Sequence, residues 1–309
     1  MSTPPNFSAP DPREVDPRAV RRAFERAAAT YDAAAVLQRE VSARMASRLE
    51  YVRLAPSLIL DGGCGTGEAV GELAIRYPGA RVVALDVALP MVAAARARAR
   101  QGRSLLQRLL PAAIGGGTAP WCICGDLNAL PLRGVAFDLV WSNLALQWVN
   151  DVPRVFAEWR RVLKVGGLVT FTTFGPDTLR ELRNAFARAD GHTHTNRFID
   201  MHDLGDMLVG AGLADPVMDM ETITLTYADA GGLLRELKQI GATNATRGRP
   251  HGLMGRKRWQ KMLGALEGMR KDGRLPATFE IVYGHAWKGE PKRTAEGHPI
   301  VKLSRPPRG

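Results

Sequence analysis

The chain has 309 residues, 45% of them hydrophobic, enough to bury a sizeable core as one large domain or two small ones. No apolar run approaches the roughly 20 residues of a membrane-spanning helix, and the opening MSTPPNFSAPDPREVDP has neither the basic start nor the apolar centre of a secretory signal, so a cytoplasmic location is expected. The formal charge is +11, and it is concentrated: residues 247–309 carry 15 Lys or Arg against 5 Asp or Glu, a field that attracts an acidic partner.

Residues 1–16, rich in proline and charge, are expected to be disordered. Apolar positions then recur at helical spacing from Asp16 to Arg53, with Asp16 as the cap and Pro17 at the first helical position, so one long helix or two are expected. After Pro56 short apolar runs alternate with amphipathic stretches. SLILD, ARVVALD, WCICGD, FDLVWSN and GLVTFTTF read as strands; GEAVGELAIRY, ALPMVAAARARAR and VPRVFAEWRRVLK read as helices. This alternation predicts an α/β fold, a doubly wound Rossmann-like sheet covered by helices on both faces. Residues 101–120 read as a surface insertion with a glycine-rich tip, to which no function attaches. Two further strands follow, PVMDMETITLTY and ATFEIVYGHAWKG, with a mostly helical insertion at about 229–275 between them that is expected to cap the site. The main domain is thus placed at 17–288, and 289–309 are expected to form a basic flexible tail.

The chemistry begins at LILDGGCGTGEAVGEL. Glycines after a strand let a ligand approach the backbone and leave the next helix's first amides free. From neither Gly63 nor Gly65 does the spacing complete the dinucleotide fingerprint, and no Lys-Ser or Lys-Thr pair follows as a P-loop requires. What remains is Asp61 with Gly63, Gly65 and Gly67. An acid at the strand end repels a pyrophosphate but accepts hydrogen bonds from an amine, which points to an amino-acid adduct of a nucleoside; S-adenosylmethionine fits. Asp86 ends the second strand, where a carboxylate can accept both ribose hydroxyls, and Asp126 and Leu127 follow the third, placed to take the adenine amino group and face. Met91 is a candidate for the other side of the ring. Each acid alone could merely cap a helix; three in register at strand ends favour the cofactor.

On these residues the chain resembles the class I S-adenosylmethionine-dependent methyltransferases. Within them it is similar to the malonyl-[acyl-carrier protein] O-methyltransferases of biotin synthesis, from about Val20 to Lys288, through AFERAAATYDAAAVLQRE, FDLVWSNLALQWV, TNRF and LKQIGATN. The last strand is expected to run antiparallel to the rest. Gly62 stands where that family usually has alanine in its D-A-G-C-G loop. The resemblance implies that the free carboxylate of a malonyl thioester, on carrier protein or on coenzyme A, takes the methyl group. A carboxylate is already ionised near neutrality, so no general base is required, in keeping with the lack of an evident Ser-His-Asp or Cys-His set.

The remaining candidates are positioning groups. Tyr31 is implied at the methionine end of the cofactor. Asn143 and Gln147 follow the fourth strand, where donor and acceptor should meet, and Trp148 could wall the pocket. Arg197 in TNRF is the first candidate for the malonyl carboxylate because its guanidinium matches that planar group; Arg180 is weaker, since its segment reads as an amphipathic helix with the arginine free to face water. His192, His194 and His202 lack ligand spacing, and the three cysteines, Cys64, Cys122 and Cys124, form no CxxC pair, so no metal and no disulfide are expected. Arg247, Arg249, Arg256, Lys257 and Arg258 offer a surface for an acidic carrier protein. Nucleic acid is disfavoured by the absence of an NPPY-like tetrad. Two rival readings remain open: a small-molecule methyltransferase acting on a quinone-type precursor, and a methyltransferase-like assembly factor of respiratory complex I, which shares the PAT-plus-aromatic-strand ending seen in LPATFEIVYGHAWK.

Overall fold

The computed structural model describes residues 11–101, 119–250, 252 and 254–290. Residues 1–10, most of the 101–120 insertion and the tail beyond 290 lie outside the described residues.

Ahead of the sheet come α1 (Pro17–Ala27), the single turn α2 (Tyr31–Ala34) and α3 (Val36–Arg48), so the expected one or two helices are three segments. Asp16 caps α1 by accepting the Arg18 N–H, and Pro17 sits in the first turn. Asp11 to Asp16 are ordered, a correction to the expectation of disorder. Val15 is buried and forms an antiparallel bridge with Thr246; its N–H donates to Asn150 Oδ1 at 2.9 Å, and the Asp16 N–H to Ala245 O at 2.7 Å.

The rest follows the expected alternation: β1 (Leu58–Gly62), α4 (Glu68–Arg76), β2 (Arg81–Asp86), α5 (Leu89–Gln101), β3 (Trp121–Cys124), β4 (Phe137–Ser142), α6 (Val152–Val162), β5 (Leu163–Phe174), α7 (Arg180–Ala189), α8 (Met201–Gly210), β6 (Ala214–Tyr227), α9 (Ala230–Gln239), α10 (Arg256–Glu267) and β7 (Leu275–Trp287). The seven strands lie in the order β3-β2-β1-β4-β5-β7-β6. The first five are mutually parallel, and β7 runs antiparallel to both neighbours, between β5 and β6.

The strands are nearly all apolar because helices cover both faces. Successive residues alternate between two cores: Ile59, Val82, Ala84, Leu139 and Trp141 pack on one side, Leu60, Val83, Leu85 and Val140 on the other. In the second core Phe156 and Trp159 of α6 meet Phe171 of β5, with ring centroids 5.4 to 5.9 Å apart. The strand order reverses between β1 and β4, and the crevice at the carboxyl ends of those strands is where such a sheet takes a ligand.

Candidate functional site

At that crevice the chain leaves β1 through Gly62 and turns back at Gly63, whose φ is +79°. A Cβ there would lie 2.5 Å from the Ala145 Cβ, so only glycine fits the turn. Gly67, at φ +81°, precedes α4 and presses on Ala95 of α5. The loop is held from the next strand: Gly63 N–H and Cys64 N–H donate to Leu85 O at 2.8 and 3.0 Å, and the Gly65 N–H to Asp86 Oδ2 at 3.0 Å.

Asp61 is 2% exposed, and its Oδ2 finds no hydrogen-bond partner among the described residues. Burial, with the Asp86 and Glu72 charges adding to it, pushes its carboxyl up to about 8. A buried carboxylate with a bare oxygen beside a glycine turn fits a cationic amino group, which is what the methionine end of S-adenosylmethionine presents. Asp61 faces a small recess that also holds Gly63 and Gly65, and Asp86 lines the larger cleft that shares those two glycines. Its Oδ1 accepts the Ala88 N–H at 2.9 Å, which with the Gly65 bond fixes the carboxylate's orientation and leaves further lone pairs for hydroxyl donors. Burial raises its carboxyl as well, against the pull of these N–H donors.

Asp126 and Leu127 stand on the cleft wall after β3, with Asp126 exposed and its Oδ1 accepting the Asn128 N–H at 2.8 Å. Met91 is a correction. It is fully buried with Ala27 and Ala88 behind the wall, and Val87 is the apolar side chain of that segment facing the cleft.

Tyr31 borders the cofactor cleft, a small recess containing Asp61 and Gly63, and a second, more apolar pocket. Its neighbour Asp32 anchors it, accepting Thr66 Oγ1 from the glycine loop and pairing with Arg98 of α5. Burial and the Asp86 and Asp32 charges push the Tyr31 phenol up, so it remains an O–H donor.

Phe24, Tyr31, Leu144 and Trp148 face both the cleft and the second pocket, so the two cavities share one wall. Phe24 and Trp148 meet edge to face at 5.2 Å. Phe24 was not foreseen. Its signal was present, since Phe24 and Tyr31 are seven residues apart on one face of the opening helical pattern. Leu144 was equally missed; it holds a left-handed φ of +48°, for which a leucine gives no sequence signal.

Asn143 borders the cofactor cleft, but both ends of its amide are engaged: Nδ2 donates to Gln38 O at 3.0 Å, and Oδ1 accepts Thr172 Oγ1 at 2.7 Å. Gln147 reaches the second pocket and donates through Nε2 to Leu144 O at 2.6 Å. One side of the pocket comes from α9, residues 240–244 and the TNRF segment.

Arg197 is not in the pocket. Its side chain is exposed, in the electrostatic reach of Asp11, while its neighbours Asn196 and Phe198 face inward. Arg180 is a half-exposed surface residue paired with Asp177 at 3.1 Å. The histidines do not converge: His194 pairs with Asp190 at 2.8 Å and stacks on Phe186 at 4.0 Å, whereas His202 leans on the α8 cap Asp200. Among the described residues no group of three or more His, Cys, Asp or Glu is arranged to hold a metal, and no helix is long and apolar enough to cross a membrane. Arg247 and Arg249 pair with Glu14 and Asp16 of the N-terminal strap. Arg256, Lys257 and Arg258 are exposed on α10 with no acidic side chain in ion-pair distance among the described residues.

The 3-2-1-4-5-7-6 sheet with glycine turn and strand-end acids is that of a class I S-adenosylmethionine-dependent methyltransferase. A family described as a methyltransferase domain matches residues 60–171. Solved structures of the YcgJ protein of Bacillus subtilis and of a putative methyltransferase of Bacillus halodurans share the fold at TM-score 0.54, with 16% and 17% identity, covering 80% of this chain and 98% and 99% of theirs. The malonyl-[acyl-carrier protein] O-methyltransferase of Gallionella capsiferriformans is 52% identical over 94% of this chain and 97% of its own length; that of Laribacter hongkongensis is 54% identical over 94% and 96%. The chain belongs to the malonyl-[acyl-carrier protein] O-methyltransferase family. The quinone-type and assembly-factor readings gain no support from these relatives.

Proposed function

We propose that this enzyme esterifies the free carboxyl of a malonyl thioester carried on acyl-carrier protein, an early step of biotin synthesis. The observation that carries the reading is the pair of cavities sharing the Phe24, Tyr31, Leu144 and Trp148 wall, in a chain more than half identical to enzymes named for this reaction. S-adenosylmethionine supplies an electrophilic methyl group on a sulfonium; as a carboxylate oxygen bonds to the methyl carbon, the carbon–sulfur bond breaks and its electron pair stays on sulfur. The chain's part is binding, alignment and drying. Asp61 takes the amino group, Asp86 the ribose hydroxyls, and Asp126 with Leu127 the adenine. Tyr31 closes over Gly65, its ring lying 3.8 Å from where a Cβ of that residue would be. Phe24 and Trp148 exclude the water that would otherwise solvate the nucleophile. Asn143 acts by bracing: it ties α3 to β5 across the junction of the cavities.

The basic helix α10 is the proposed carrier-docking face, since Arg256, Lys257 and Arg258 have no acidic partner among the described residues while Arg247 and Arg249 are engaged. An acidic carrier protein complements it, and the coenzyme A thioester is read as the poorer substrate because it lacks that protein surface. The decisive experiment incubates the protein with methyl-labelled S-adenosylmethionine and malonyl-acyl carrier protein, with acetyl-acyl carrier protein as control. A base-labile methyl ester on the malonyl species alone is expected; no transfer despite bound cofactor would overturn the reading.

A further inference from the structure

The pocket that adjoins the cofactor cleft poses a problem of charge. Its acceptor is an anion, yet among the described residues its lining includes no lysine or arginine: His194 is tied to Asp190, Glu236 accepts the Tyr227 hydroxyl, and the walls are mainly apolar, with Phe24, Leu37, Phe174 and Phe279 among them. Two of its polar residues stand apart. Asn196 is only 8% exposed, its Oδ1 has no hydrogen-bond partner, and none of its side-chain atoms bonds another protein group among the described residues. Gln38 of α3 has its Oε1 sealed in the same way, and it borders both this pocket and the recess that holds Asp61 and Gly63. Buried amides without partners are rare because each costs its desolvation without return. The other amides here, Asn143, Gln147 and Asn244, are all engaged by protein groups. In each of the two amides it is the oxygen that is sealed, which leaves the NH2 as the end that can donate to a ligand in the pocket.

We infer that Gln38 and Asn196 form a neutral amide clamp for the malonyl group, Gln38 at the donor end and Asn196 on the outer wall, and that it is this clamp, not a guanidinium, that selects and aims the carboxylate. The assignment rests on the malonyl reading above and goes beyond it by naming the groups that read the substrate. A neutral clamp suits the chemistry. The attacking anion loses its charge as the ester forms, so a fixed cation would hold the starting carboxylate more tightly than the transition state and raise the barrier. Amide donors orient the two oxygens with a smaller penalty of that kind.

The clamp has a signature that a structural role lacks. Replacing an unpartnered buried amide by an apolar side chain of similar shape removes an unsatisfied polar group, so Asn196→Leu and Gln38→Met should melt at or above the wild-type temperature. The same variants should raise KM for malonyl-acyl carrier protein about 10- to 100-fold, as expected for a hydrogen bond to a charged group, with kcat changing much less. A direct readout is calorimetric titration of malonyl thioester into the S-adenosylhomocysteine-loaded protein, where the dissociation constant should rise by the same factor while the affinity for S-adenosylhomocysteine itself is kept. KM and dissociation constant within twofold of wild type in both variants, or losses that track a fall in melting temperature, would overturn the clamp while leaving the malonyl reading intact. A wild-type protein that methylates no malonyl thioester would overturn both.

Discussion

The cofactor cleft and the acceptor pocket share a wall and are built on different terms. The cleft and the recess beside it are made from strand ends and backbone: Asp86 and the Gly125-Asp126-Leu127 turn in the cleft, and Asp61 in the recess, are each set by where a parallel strand stops, and the glycine loop by amides bonded to the neighbouring strand. The pocket is made mostly from side chains brought in by α1, α3, the TNRF loop and the β6–β7 insertion, and only Phe174 of β5 and Phe279 of β7 come to it from the sheet ladder. A backbone-built site fails abruptly when its geometry is disturbed. A site built from side chains should change by degrees, one contact at a time.

The largest effect is expected at Gly63. Gly63→Val combines a left-handed φ with a Cβ collision at Ala145, a cost on the order of 2–5 kcal/mol, and should lower the melting temperature by several degrees and abolish cofactor binding. A thermal melt close to wild type would remove the contrast between the two regions. Next is Asp61→Asn, which at pH 8 should weaken S-adenosylmethionine binding about 10- to 100-fold by calorimetry.

The same carboxylate predicts a pH dependence. Its value in the folded protein is raised to about 8, so the folded state binds more protons than the unfolded state between roughly pH 4 and pH 8. Asp61 therefore favours folding at low pH, and that contribution is lost as pH rises through 8. The ligand-free Asp61→Asn variant should out-melt wild type at pH 8, with the difference vanishing toward pH 4. Cofactor affinity of the wild type should climb from pH 6 to 8 as the carboxylate ionises, and flatten in the variant.

Trp148→Ala should weaken both cofactor and malonyl thioester binding by about tenfold, because the ring belongs to both cavities. Loss of only one affinity would mean the wall is not shared in solution. For docking, reversing Arg256 and Arg258 to glutamate should lower kcat/KM on the carrier substrate severalfold with little change on malonyl-coenzyme A; equal losses on both would refute α10 as the docking face. The smallest effect is expected at Arg197. Arg197→Ala, at an exposed side chain outside the pocket, should leave KM within twofold.

The same division explains what was legible in the sequence. The strand-end acids and the turn glycines could be found because a parallel strand announces its end by a change from apolar to polar, and the alternation of elements orders the sheet. Met91 was misplaced because an apolar residue in the first turn of a helix has two apolar surroundings available, the ligand and the core, and periodicity does not distinguish them. In TNRF the guanidinium of Arg197 drew attention by its chemistry, yet it is Asn196 that turns inward; a loop has no repeat from which side-chain direction follows. The ordering of Asp11 to Asp16 depends on a bridge to Thr246, which no local pattern reveals.

The position of β7 governs when the molecule can be finished. β7 is the last strand among the described residues, yet it lies between β5 and β6, so β6 lacks its described partner until residues 275–287 have left the ribosome. The five parallel strands, and with them most of the cofactor cleft, are already synthesised by Phe174. The strap at Asp11 to Asp16, made before the sheet, must wait for Thr246 before Val15 can settle. Translation thus produces the five parallel strands well before the antiparallel pair that completes the sheet, and a ribosome stalled between Phe174 and Leu275 would carry a chain with an unfinished sheet edge at β5.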